Sequence, residues 1–313
     1  MDDLRDDVAD YDEFDALRGY AEWAGVLWAG PPVVRRQSLI VDGRRVSMLK
    51  WGEGRPRLTL LHGGAQNAHT WDTVAMALGD PVVAIDLPGH GHSDWRDDGD
   101  YWPTAIAETV ASAMARVAPD SETLVGMSLG GLTAIRVASA HPELVRRLVV
   151  VDVTPGVSER VVGLTREEKG AVATVAGPTE FASFEAMLAA LGETMPNRPL
   201  DSLRPGLRHN AMEREDGTWT WRYDRMRRRD GDGDGEPQLI GFQSLWDDVS
   251  SLRIPVMLVR GGNSKFVHED DVERLRREVP HVRVEVVEGA GHSVQSDRPV
   301  ELARLVEDFA ART

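Results

Sequence analysis

The 313-residue chain contains no cysteine, which excludes disulfides, thiolate metal sites and a cysteine nucleophile together. It has no apolar run near the ~18 residues that a membrane-spanning helix requires. Its N-terminus, MDDLRDDVADYDEFD, lacks the basic-then-apolar order of a secretory signal. Basic residues are also in deficit. Lys and Arg number 36 against 51 Asp and Glu, for a formal net charge of −15. A phosphate backbone is therefore repelled on average, and nucleic acid is not expected as a partner. With 42% hydrophobic and 28% charged residues, the rest of the composition is that of a soluble globular chain. Its length suffices for one large α/β core with an inserted subdomain. A cytoplasmic protein without a membrane partner is expected.

Residues 1–36 form an acidic leader with large side chains at helical spacing (Tyr11, Phe14, Leu17, Tyr20, Trp23), closed by Pro31-Pro32. Such a leader packs on the body or on a second copy as a homo-oligomer, and the sequence leaves both open. From Gln37 the pattern changes to SLIV, the two-residue hairpin signal Asp42-Gly43, and RVSMLKW. The apolar runs LTLLH, VVAID, TLVGM, LVVVD, PVMLVRG and VRVEVVEG follow, separated by helical stretches such as 71–79, 104–118 and 129–140. Strands that are apolar throughout and separated by helices predict a mostly parallel, twisted α/β sheet covered on both faces. In such sheets, sites form at the carboxyl ends of the strands. Residues 155–245 break the rhythm with FASFEAMLAAL and the tryptophan-rich TWTWRY. They are expected to form a helical lid inserted after the sixth strand, dividing the core into 37–154 and 246–313.

The sharpest local signal is Val125-Gly126-Met127-Ser128-Leu129-Gly130-Gly131. It is a G-x-S-x-G between a predicted strand and a predicted helix. The glycines are needed because the serine sits on a tight, strained turn whose neighbours have no room for side chains. The following helix directs its N-terminal N–H groups at the site, where they favour developing negative charge.

On this motif the chain resembles the α/β-hydrolase superfamily over about residues 37–312. The resemblance extends to Leu61-His62-Gly63-Gly64-Ala65 and to Asp86-Leu87-Pro88-Gly89-His90-Gly91-His92-Ser93. It implies that Ser128 is a nucleophile and that the N–H groups of Gly64 and Leu129 form an oxyanion hole. The 86–93 loop is given a structural role. Gly289-Ala290-Gly291-His292-Ser293 follows the last predicted strand, and the family's chain order makes His292 the general base. The acid departs from the common pattern, since Gly262-Asn263-Ser264 stands where most relatives carry an aspartate. Asp152, at the end of LVVVD, is favoured. Glu269, Asp270 and Asp271 are the alternatives, although they look more like the cap and first turn of a helix.

The implied function is hydrolysis of a carboxylic ester or lactone through an acyl-enzyme, with no cofactor. The alternatives are a carbon–carbon bond hydrolase of aromatic breakdown, a zearalenone-type macrolactone hydrolase, a cofactor-free perhydrolase or haloperoxidase, and a non-catalytic ligand receptor. Ala65, Met127, Trp219 and Trp221 are expected to line the substrate pocket. Trp219, Trp221 and Trp246 serve equally well as anchors of the lid. No metal is expected: His90 and His92 lack a third ligand at suitable spacing. The run Asp230-Gly231-Asp232-Gly233-Asp234-Gly235 resembles an EF-hand start but has Gly241 where the bidentate glutamate belongs. No glycine-rich nucleotide-binding motif follows a strand.

Overall fold

The alternating apolar runs become the interior strands of one sheet. The computed structural model describes residues 4–6, 9–157, 177–194, 199–224 and 242–312. Its strands are β1 (Arg5–Asp6), β2 (Val34–Val41), β3 (Arg44–Trp51), β4 (Leu58–Leu61), β5 (Val82–Ile85), β6 (Thr123–Met127), β7 (Arg147–Val151), β8 (Glu180–Phe181), β9 (Ala211–Glu213), β10 (Trp219–Trp221), β11 (Val256–Gly261) and β12 (Arg283–Val287). Nine of them pair in the order β1-β2-β3-β5-β4-β6-β7-β11-β12. The first three neighbouring pairs are antiparallel, and every pair from β5 to β12 is parallel.

Period-two alternation sends the same strands' side chains into two separate cores. Ile85, Leu124, Val150 and Leu258 face the helices Pro103–Val117 and Leu129–Ala140. Ala84, Val125, Val151 and Met257 face the helices Asp72–Leu78 and Pro299–Arg312. Each fully buried aliphatic side chain contributes about 1.5–3 kcal/mol, so the interior strands stabilise both layers at once. The β2–β3 hairpin turns through Asp42 and Gly43, both at positive φ (49° and 78°), as a two-residue primed turn demands.

The leader packs on its own body: Leu17 and Ala21 of the helix Leu17–Ala24 are buried, with Leu17 in the second core. The expected border at residue 37 falls too late, because β2 starts at Val34. The segment VRRQ hid this half-strand, since Arg36 is buried by ion pairing rather than by apolarity. Its guanidinium donates to Glu13, Asp86 and the Ser47 hydroxyl.

The described parts of 155–245 are mixed rather than helical. Helices Phe184–Thr194 and Leu200–Asn210 join a small antiparallel sheet ordered β8-β10-β9. TWTWRY supplies β10, whose Trp221 packs with Phe181, Met187 and Leu207 in a third apolar cluster. The main core resumes by Phe242, slightly before residue 246, and Trp246 packs within it rather than in a pocket or lid. The Asp230–Gly235 run lies outside the described residues.

Candidate active site

Ser128 stands between β6 and the helix Leu129–Ala140 with φ 51° and ψ −118°, a strained conformation that the surrounding backbone imposes. The turn is possible only with glycine beside it. A Cβ on Gly126 would lie 2.3 Å from Gly130 O, and one on Gly130 2.4 Å from Leu61 O. His292, far away in sequence, brings Nε2 to 3.1 Å from Ser128 Oγ. Its Nδ1 lies 2.8 Å from Asp152 Oδ2. Asp152 is completely buried at the end of β7, itself at positive φ (52°). Its Oδ1 accepts Gly261 N–H at 2.9 Å, and Ser264 Oγ donates to Oδ2. Phe266 stacks on the His292 ring, centroids 3.5 Å apart and planes within 8°. The downstream carboxylates are engaged elsewhere or exposed. Glu269 pairs with Arg260, Asp271 accepts the N–H of His268 in a capping box, and Asp270 faces solvent.

The loop after β4 lies against the nucleophile. A Cβ on Gly63 would sit 3.2 Å from Ser128 Cβ and 2.6 Å from Met127 Sδ. Gly63 N–H donates to Gln66 Oε1, and Gln295 Nε2 reaches Gln66 Oε1 and Thr70 Oγ1, so two glutamines fix the loop. Gly64 lines a cavity of about 900 Å³ together with Ser128 and His292, and Leu129 opens the helix behind the serine. Ala65, Met127 and Trp221 line the same cavity. Trp219 is not among its lining residues: it packs edge-on to Phe184 and under Arg208. Trp219 and Trp221, two apart on β10, share a face of the small sheet and belong to the same apolar cluster, with Trp221 at its buried end and Trp219 toward the rim. The leader supplies wall residues that sequence reasoning missed, including Tyr20 and Trp23.

A buried polar network adjoins this wall. His69 Nδ1 lies 2.8 Å from Asp72 Oδ2, and its Nε2 lies 2.8 Å from Glu13 Oε1. Burial alone would lower the His69 pKa, but the Asp72 and Glu13 carboxylates raise it to about 9. Burial alone would raise the Glu13 carboxyl, yet its bonds to His69 and Arg36 hold it down at about 2. His209 stacks on His69 at 3.7 Å and 11° and hydrogen-bonds Tyr11 through Nδ1. Burial and the nearby positive charges of His69 and Arg36 keep it neutral, well below its ordinary value. No metal set was expected, yet His69, Asp72 and His209 bring ligand atoms within 4.8 Å of one another. The one sequence hint was the i, i+3 spacing of His69 and Asp72. His90 and His92 do not form a pair. Burial lowers them to about 3 and about 4 respectively, and His90 Nδ1 bonds Pro88 O. His62 serves the fold, with Nε2 accepting Leu87 N–H.

A mostly parallel sheet with a serine on a strained strand–helix turn and a histidine from the last loop defines a hydrolase architecture. The model of the alpha/beta hydrolase family matches residues 60–305, and the chain belongs to that family. It is 48% identical over 302 residues to the esterase Rv0045c of Mycobacterium tuberculosis, covering 96% of each chain. A solved structure of that esterase, described together with its inhibition by transition metals, superposes with TM-score 0.81 at 48% identity, over 97% of this chain and all of that one. A 2-(acetamidomethylene)succinate hydrolase of Mesorhizobium japonicum is 27% identical over 256 residues, covering 81% of this chain and 87% of that one. The chain is a hydrolase with the α/β-hydrolase fold. Among the described residues no helix is long and apolar enough to cross a membrane.

Proposed function

We propose that the chain hydrolyses carboxylic esters through an acyl-enzyme on Ser128. The observation that carries this reading is the relay from Ser128 Oγ to His292 Nε2 (3.1 Å) and from His292 Nδ1 to the buried Asp152 carboxylate (2.8 Å). His292 takes the hydroxyl proton as Ser128 Oγ bonds to the ester carbonyl carbon. The N–H groups of Gly64 and Leu129 hold the oxyanion, each worth about 3 kcal/mol. The imidazolium, oriented by Asp152, then protonates the departing alcohol. Water attacks the acyl-enzyme by the same relay, releasing the acid and restoring the serine hydroxyl. Asp152 is assigned as the acid because it alone among the candidate carboxylates bonds His292.

Residues 177–194 and 199–224 serve as a cap over the site, since Leu191, Leu203, Leu207 and Trp221 line the cavity that holds Ser128. That lining favours a medium, partly apolar acyl or alcohol group. A lactone presents the same carbonyl and falls within the proposal. The transition-metal inhibition of the M. tuberculosis relative is carried over as well, so such ions are expected to slow this hydrolase.

The test is a panel of p-nitrophenyl esters and lactones, with a fluorophosphonate label read by mass spectrometry. Wild type is expected to turn over esters and to carry one adduct on Ser128. Ser128→Ala is expected to lose roughly 10⁴-fold or more in kcat and all labelling. A folded wild type that neither labels nor turns over any ester would make the fold a ligand receptor instead.

A further inference from the structure

The His69–Asp72–His209 cluster is not used by the proposed chemistry, yet its geometry is that of a site. All three residues are more than nine-tenths buried, and all line the cavity that holds Ser128 and His292. Two of their atoms, Asp72 Oδ1 and His209 Nε2, are cut off from solvent and have no hydrogen-bond partner among the described residues. Buried polar atoms are normally satisfied, so two orphans in one ligand-bearing cluster call for an occupant. Each imidazole is also held at its other nitrogen, His69 Nε2 by the Glu13 carboxylate and His209 Nδ1 by the Tyr11 hydroxyl, both at 2.8 Å. This is how ligating histidines are oriented by the residues behind them.

We propose that His69 Nδ1, the Asp72 carboxylate and His209 Nε2 bind a divalent transition-metal ion of the zinc, cobalt or nickel type in the wall of the catalytic cavity. Two imidazoles and one carboxylate suit these ions rather than the all-oxygen preference of calcium or magnesium. On binding, the proton between His69 Nδ1 and Asp72 leaves to solvent, and the metal takes its place. The two rings are stacked nearly parallel, so their in-plane lone pairs do not converge until His209 tilts. His209 belongs to the helix Leu200–Asn210, whose Leu203 and Leu207 line the same cavity. Binding therefore reshapes the cavity wall without touching Ser128 or His292. The site's regulatory consequence rests on the hydrolase reading, but its occupancy does not.

The test titrates the full chain with Co²⁺, read by its visible absorption, and with Zn²⁺, read by calorimetry in two buffers of different ionisation enthalpy. One ion per chain, release of about one proton and equal binding by Ser128→Ala are expected. Asp72→Asn and His209→Gln are each expected to weaken binding at least about tenfold, while the exposed control His281→Ala leaves it unchanged. Tyr11→Phe, which frees His209 Nδ1, is expected to weaken binding several-fold, and it carries the test if a ligand variant unfolds. Ester hydrolysis in Zn²⁺ is then expected to fall at wild-type occupancy and to resist the ion in the ligand variants, each measured against its own metal-free rate. Affinity unchanged in Asp72→Asn and Tyr11→Phe would overturn the proposal. Loss of the cobalt band in His292→Ala alone, or absence of the band, would do so too.

Discussion

Replacing Asp152 by asparagine changes almost no volume and tests the relay directly. Three donors converge on this carboxylate: Gly261 N–H on Oδ1, and Ser264 Oγ–H and His292 Nδ1 on Oδ2. The Gly261 N–H demands an acceptor at the first position, so the amide carbonyl of asparagine occupies it. The NH₂ group then faces His292 and Ser264. His292 Nδ1 must become the acceptor, which moves the ring proton to Nε2, 3.1 Å from Ser128 Oγ. The base then has no lone pair for the serine proton, and no buried charge remains to stabilise an imidazolium. The expected loss in kcat is about 10³–10⁴-fold, or ~4–5.5 kcal/mol of transition-state stabilisation, with KM little changed. Steady-state kinetics on one p-nitrophenyl ester at fixed pH, with thermal unfolding recorded for each variant, measures it. A rate within about threefold of wild type, accompanied by loss in Asp270→Asn or Asp271→Asn, would refute the reasoning and move the acid downstream.

Stability should fall as the solution is made alkaline. The folded-state pKa of His69 is raised from 6.5 to about 9, so its contribution is complete below about pH 6.5 and lost as pH rises through 9. That loss amounts to about 3 kcal/mol. Urea unfolding at pH 6 and pH 9.5 checks this, and Glu13→Gln should shrink the difference; equal midpoints in wild type would contradict it. Gly130→Ala should abolish activity or folding, because its Cβ would lie 2.4 Å from a backbone oxygen. A soluble Gly130→Ala protein with normal kcat would show that the elbow relaxes. Trp23 is 62% exposed at the cavity wall, so Trp23→Ala should leave the melting temperature unchanged and raise KM for long-chain esters more than for acetates. Equal effects on both chain lengths would remove Trp23 from the substrate path.

Much of the fold was legible because its determinants are local. Apolar runs such as VVAID and LVVVD mark strands buried on both faces, and Asp42-Gly43 closes a hairpin without help from elsewhere. The glycines around Ser128 announce a turn in which any Cβ would strike backbone, so the strained serine was visible before any coordinates. The placement of His292 after the last strand followed from the same order of strands and helices.

Only the tertiary structure decided which carboxylate His292 meets, because the sequence favours Asp152 without excluding the 269–271 acids. What separates them is three-dimensional: Asp152 receives three donors from two distant segments, the end of β11 with the turn that follows it and the His292 loop, whereas Asp271 caps its own helix. The same holds for Arg36 in β2, for the leader forming a cavity wall, and for His209 arriving beside His69 and Asp72. Apolar periodicity records how a segment meets water. A buried charge or imidazole is stabilised by partners tens to hundreds of residues away, and no local pattern records where those partners are.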